Sequence, residues 1–168
     1  MRVRLVTMLA LGLLGGLMGG PVLAQSTGGA APTRHAAADE EALRAVLASY
    51  NAALNGGQTA AVLPLYTPDG IFMAPYSPSF IGQTAIRKAY DAVFAELKFD
   101  VRFDIAEVVQ IAPAWAFVRT NSAGTTLHHS TGKTTAEANQ ELFIFRKGDD
   151  GSWRIARYSF SPTNPPGL

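Results

Sequence analysis

The chain has 168 residues, a formal net charge of +1, no cysteine and 48% apolar residues. Disulfide stapling is excluded, and a near-neutral chain without a basic run is a poor polyanion binder, so no nucleic-acid partner is expected. The length suits one core, because a domain of about 150 residues buries roughly 68–70% of its unfolded surface.

The first segment reads as an export signal. Arg2 and Arg4 precede a mostly apolar, glycine-interrupted run from Leu5 to Leu17, and Gly19-Gly20-Pro21 breaks it. Val22-Leu23-Ala24 then offers small or modest residues at the positions a signal peptidase reads. Residues 1–24 are therefore expected to be removed before Gln25, leaving a slightly acidic periplasmic or secreted protein. The run is short and glycine-rich against about 30 Å of hydrocarbon, so no stable membrane anchor is expected. Residues 25–38, rich in Ser, Thr, Gly, Ala and Pro, read as a flexible linker in which His35 is solvated.

The folded domain is expected over residues 39–162, with 163–168 as a C-terminal tail. A helix is predicted from Asp39, whose carboxylate can cap free backbone N–H groups. Leu43, Val46, Leu47, Tyr50 and Leu54 recur at helical spacing, and Gly56-Gly57 ends the run. A short second helix over Thr59 to Tyr66 is loosened by Pro64 and closed by Pro68. Ile71 to Ala74 reads as a short strand. A third helix over Thr84 to Leu97 buries Ile86, Tyr90, Val93 and Phe94.

From Phe99 the period changes to two: Phe99, Val101, Phe103 and Ile105 alternate with charged residues, and the phase slips at Val108-Val109, consistent with a bulge. Strands around Trp115 to Ser122, Thr134 to Arg146 and Trp153 to Phe160 follow, the last two joined through Gly148-Asp149-Asp150-Gly151. Helices first and long strands last is the α+β order. The expected architecture is a bent antiparallel sheet wrapped against three N-terminal helices, a cone with an open mouth.

At this point the chain resembles the nuclear transport factor 2-like superfamily, a cystatin-like roll, in its SnoaL-like and ketosteroid isomerase-like branch. The likeness is carried by Ser49 to Gly57, Leu65-Tyr66-Thr67-Pro68-Asp69-Gly70, Gly82 with Ala85-Ile86-Arg87 and Tyr90, and the hairpin Phe143-Ile144-Phe145 to Trp153-Arg154-Ile155. Such motifs specify the fold strongly and the reaction weakly, because this fold hosts enzymes and non-catalytic modules alike. Comparison with ketosteroid isomerase implies an oxyanion-hole tyrosine at Tyr50, supporting tyrosines at Tyr66 and Tyr90, and the protonated acid at Glu141. It places the base position on Ala74, beside Met73, and a methyl group takes no proton. It also implies a cavity wall containing Tyr158 and Phe160, which strict alternation sets on the face opposite Trp153 and Ile155. The chain is similar as well to SgcJ/EcaC-type proteins, often labelled oxidoreductases, but carries no nucleotide-binding motif to support that label.

Read as residues, the same positions keep two meanings. Tyr50, Tyr66 and Tyr90 are catalytic or ligand-binding groups, or core aromatics with satisfied hydroxyls. Glu141 shares a strand face with Thr135, Glu137, Asn139, Phe143 and Phe145. If that face points inward, burial raises its pKa and Asn139 and Phe143 join the ligand-binding set. If it bends outward, Glu141 pairs with Arg119 or Arg157. Arg119 and Asn121, alternating with Trp115 and Phe117, either place a donor in the pocket or form a solvated strand end.

His128-His129 are adjacent strand-type residues facing opposite ways, with no cysteine or tight acidic cluster, so no metal site is expected. No phosphate loop or Gly-x-Ser-x-Gly elbow is present, and no cofactor is expected. The sequence thus supports an exported pocket protein for a small hydrophobic carbonyl or polycyclic molecule, with acid/base chemistry at Tyr50 and Glu141. The other reading is a non-catalytic ligand-binding or dimerisation module. A homodimer across the sheet is expected in either case.

Overall fold

A computed structural model describes residues 34–163, so the export segment, most of the linker and residues 164–168 lie outside the described residues. Helix α1 spans Arg34–Asn55, α2 Thr59–Val62, and a 3-10 turn Leu63–Leu65 follows. Strand β1 (Tyr66–Met73), the two-residue β2 (Phe80–Ile81) and α3 (Gly82–Glu96) precede four long strands. These are β3 (Leu97–Ala112), β4 (Trp115–His128), β5 (Thr134–Lys147) and β6 (Trp153–Pro162). The architecture is α+β.

The six strands form one sheet in the order β2-β1-β6-β5-β4-β3. The β3-β4-β5-β6 run is antiparallel, as its short connections require, but β1 joins β6 in parallel, which makes the sheet mixed. One face of the sheet carries the core together with the buried stripes of α1 and α3.

Helix α1 begins ahead of Asp39, taking in residues assigned to the linker on composition. Alanines 36–38 favour helix over coil once the following turns are docked. Asp39 is thereby released from capping. Its carboxylate accepts from Lys147 Nζ at 2.6 Å, Trp153 Nε1 at 3.0 Å and Gln110 Nε2 at 3.2 Å, tying α1 to β3, β5 and β6. The Lys147 and Trp153 hydrogen bonds hold its pKa below the usual 3.8.

The other end of α1 stops as the glycine pair requires. Gly57 adopts φ +61°, and the Gly57 and Gln58 N–H groups donate to Leu54 O and Ala53 O, capping the last turn. Just before it, Asn55 pairs with the backbone of Val101 in both directions, at 2.8 and 3.0 Å, and Asn51 Nδ2 donates to the same carbonyl at 2.9 Å. These bonds fix the helix against β3 and so fix where Tyr50 stands. Opposite Val101 lies Gly124, where an added Cβ would stand 2.1 Å from Asp100 O; only glycine allows β3 and β4 to approach so closely.

The strand phases differ from simple alternation at several places, twice within β3 and once each along β1 and β6, and two of these breaks bear on the sequence reading. The break in β3 falls between Ile105 and Glu107, at Ala106, slightly ahead of the expected slip. In β6, Ala156 is the extra residue between the Phe145–Ile155 and Ile144–Arg157 pairs. That bulge returns Tyr158 and Phe160 to the same face as Trp153 and Ile155, correcting the opposite-face expectation.

Candidate functional site: an aromatic pocket with an acidic strip

The concave face encloses a cavity of about 210 Å³. Its apolar wall is a stack of aromatic rings. Phe72 lies nearly parallel to Tyr90 (5.1 Å between centroids), Tyr158 (5.5 Å) and Phe160 (6.2 Å). Phe99 and Phe103 of β3, Leu54 of α1 and Val93 of α3 belong to the same lining.

Tyr50 stands inside this wall with its ring edge-on to Phe103, Phe143 and Tyr158. Its hydroxyl shares a 2.7 Å hydrogen bond with that of Tyr90, which in turn shares one of 3.0 Å with Tyr66. Burial pushes all three phenols and Tyr158 well above their ordinary pKa of 10, so they act as neutral hydroxyls. Tyr158 is a further hydrogen-bonding neighbour of the Tyr50 hydroxyl, so four phenols form the row Tyr66–Tyr90–Tyr50–Tyr158, and the one proton left over lies at an end of it, on Tyr66 or on Tyr158.

The polar side of the cavity is built by β4 and β5. Thr120 lies opposite Glu141 and Ser122 opposite Asn139 in the strand register. Both hydroxyls donate to the Glu141 carboxylate, one to each oxygen, and Glu141 is only 3% exposed. Neither Arg119 nor Arg157 reaches it. Arg119 is exposed and paired with Glu107 at 2.8 Å; Arg157 donates to the Ala156 and Asp69 carbonyls. Burial raises the Glu141 pKa above 4.5, against the lowering effect of the Ser122 and Thr120 hydroxyls, and the nearby negative charge of Glu137 pushes the same way. Further out, Glu137 accepts from Asn139 Nδ2 at 2.9 Å and from Thr126 Oγ1 at 3.1 Å. Among the described residues, no Lys, Arg or His lines the cavity.

Of the residues marked in the sequence, Tyr50, Tyr90, Asn139, Glu141, Tyr158 and Phe160 line this one cavity. Tyr66 and Phe143 are fully buried one layer behind it, as the partner of Tyr90 and as the ring stacked 4.2 Å from Tyr158. Met73 falls outside the lining while its neighbours Phe72 and Ala74 are within it, as strand alternation demands. Arg119 is on the opposite face of the sheet, a correction to its place as a pocket donor. The inward residues of β4 are Ala116, Val118, Thr120 and Ser122; the larger side chains of Trp115 and Phe117 sit outside with Arg119.

Thr120, Ser122 and Glu137 were not singled out by sequence reasoning. Their signal was available: once Glu141 is taken as inward, the residues paired with it and with Asn139 must be inward too. His128 and His129 bond separately to Thr135 and to the Ala95 carbonyl. Among the described residues no group of three or more His, Cys, Asp or Glu could hold a metal ion, and no helix is long and apolar enough to cross a membrane.

A cone of this topology with a pocket between helices and a curved sheet defines the SnoaL-like class of nuclear transport factor 2-like folds. The SnoaL-like domain family matches residues 46–158, and the chain belongs to that family. It is 39% identical to a ketosteroid isomerase-like protein from Erwinia carotovora atroseptica, covering 74% of this chain and 96% of that one with a TM-score of 0.72. A nuclear transport factor 2-like superfamily protein from Salmonella enterica serovar Typhimurium shares the fold at 14% identity, TM-score 0.67, with 79% and 96% of the two chains covered. A cystatin-like-fold domain from Nostoc punctiforme does so at 17% identity, TM-score 0.63, with 77% and 80% covered. No curated protein matches the chain.

Proposed function

We propose that this protein is an exported receptor for a compact carbonyl compound, held by its oxygen between the Tyr50–Tyr158 hydroxyl pair and Glu141. The observation that carries the reading is Glu141 itself. It is a carboxyl group buried in an aromatic cavity, met by two hydroxyls and no cation, with a pKa raised by that burial. A carboxyl that holds its proton can donate to a ligand oxygen. With the row running from Tyr66 through Tyr90 and Tyr50 to Tyr158, the free proton is at the Tyr158 end, which lines the cavity, and two O–H donors are presented to one acceptor.

The size of the cavity supports a ligand of one or two rings, since a cavity of about 150 Å³ already takes benzene. Ala74 lines the pocket and offers no proton acceptor, which favours binding over isomerisation. Acid/base turnover is accordingly expected only after a base is supplied, as by Ala74→Asp with a β,γ-unsaturated ketone.

Acetophenone, neutral at every working pH, tests the binding reading. Its affinity should be highest below the Glu141 pKa and decline as pH rises through it. Glu141→Gln should flatten that profile, and Tyr50→Phe should weaken binding at each pH by roughly two- to tenfold, the worth of a net hydrogen bond of about 0.5–1.5 kcal/mol. A flat wild-type profile, or undiminished binding by Tyr50→Phe, would remove the oxygen site.

Two further parts of the reading have their own tests. Export with cleavage before Gln25 is checked by the intact mass of the exported protein; retention of Met1 to Ala24 would count against it. A homodimer is supported by the outer sheet face, where Val109, Phe117 and Ile144 align across three strands and Leu142 is 41% exposed. Light scattering at tens of micromolar should give twice the chain mass, and monomer alone would reject the dimer.

A further inference from the structure

Beyond Glu141, the polar strip of the cavity has a property that the oxygen site does not use. Asn139 is 8% exposed and its Oδ1 has no hydrogen-bond partner, although it is buried. The amide orientation follows from its neighbours: only the NH₂ group can face the Glu137 oxygen 2.9 Å away, so the carbonyl oxygen must be the free atom. An orphaned buried acceptor is costly, and such atoms are few in folded proteins.

Glu137 adds acceptor capacity at the same place. Each of its oxygens takes one hydrogen bond, from Asn139 and from Thr126, and a carboxylate has about four lone-pair sites. Glu137 has no ion pair among the described residues. The spare hydrogen-bonding capacity at this end therefore consists of acceptors, beside a cavity lined among the described residues by two acids and no basic side chain. The aromatic rings of the lining nearest this end are those of β3: Phe103, aligned with Asn139 through Ser122, and Phe99 beyond it on the same strand face.

We propose that Asn139 Oδ1 and the Glu137 carboxylate form a second subsite, which takes an ammonium group at the far end of the ligand from its carbonyl. Donor complementarity requires an N–H or O–H there. The uncompensated negative lining favours the cation over a hydroxyl and disfavours a carboxylate or phosphate, and aromatic faces add cation–π attraction. Asn139 lies two residues from Glu141 on one strand face, about 7 Å along the strand, and Glu137 about 14 Å. The ligand class is thus an amino-ketone whose ring separates its two polar ends. The proposal rests on the oxygen-site reading for the orientation of the ligand, not for the subsite's preference.

Three probes sharing one ring make the test: acetophenone, 4-(aminomethyl)acetophenone and 4-acetylbenzoate, titrated calorimetrically into the full mature protein at pH 7. The ammonium probe should bind at least tenfold tighter than acetophenone, and the carboxylate at least tenfold weaker. In Glu137→Gln the ammonium-to-neutral affinity ratio should fall to about one. A wild-type ratio of one or below overturns the subsite without touching the oxygen site, since acetophenone binding is measured in the same series. A ratio that survives in Glu137→Gln overturns it equally. Binding of none of the three overturns the subsite and the oxygen site together.

Discussion

Two carboxylates, the half-buried Asp39 and the buried Glu141, differ in one respect of their surroundings that decides their roles. Asp39 meets a lysine ammonium, an indole N–H and an amide. Glu141 meets two hydroxyls and a second acid. The first is held in its charged form and its pKa falls; the second is pressed toward its neutral form and its pKa rises. A half-buried acid with a cation is a clasp, whereas a buried one without a cation retains chemistry to offer a ligand.

Breaking the clasp should have the largest effect on stability. Asp39→Ala leaves Lys147 and Trp153 without their acceptor and is expected to cost about 2 kcal/mol in denaturant unfolding, the range for hydrogen bonds to charged groups. Acetophenone affinity should stay within twofold, because Asp39 lies outside the cavity lining. Loss of binding in this variant would erase the distinction between clasp and site.

The pH dependence should have opposite signs at the two acids. Glu141 has a raised native pKa, so the folded state binds more protons and wild-type stability falls as pH rises from about 4.5 through the native value. The slope cannot exceed about 1.4 kcal/mol per pH unit for one group. Glu141→Gln should remove that decline. Asp39 contributes stability that is present above 3.8 and lost as pH falls through its lower native pKa, and Asp39→Ala should remove that acid-side loss. Identical profiles for wild type and both variants would contradict the comparison.

The smallest effect is expected at Arg119. Its pair with Glu107 is solvent-exposed on both sides, so Arg119→Ala should cost at most about 0.5 kcal/mol and leave ligand binding unchanged. A tenfold loss of affinity would return Arg119 to the pocket.

Much of this arrangement was legible in the sequence. The Gly56-Gly57 stop, the helical stripe carrying Tyr50 and the alternation carrying Glu141 with Phe143 are local signals, and local signals survive folding. The role of Asp39 was hidden because its partners Lys147 and Trp153 are more than a hundred residues away, while its cap-like setting was next door. Tyr158 was misplaced by alternation because a bulge at Ala156 leaves no mark in composition. Arg119 misled through parity: β4 alternates large and small residues, and the small ones face the concave side, where the rings of other elements already fill the space. Register with Glu141, rather than hydrophobicity, decides that strand.

The central claim is that Glu141 holds its proton beyond the range of a free glutamate. It is tested most directly by following the Glu141 side-chain carboxyl carbon by NMR across pH 3 to 9, with Glu141→Gln to assign the resonance. A midpoint clearly above 4.5, moving when acetophenone is added, is the expected result. A midpoint at or below 4.5, unmoved by the ketone, would make Glu141 an ordinary carboxylate satisfied by Thr120 and Ser122 and would contradict its role as the donor in the pocket.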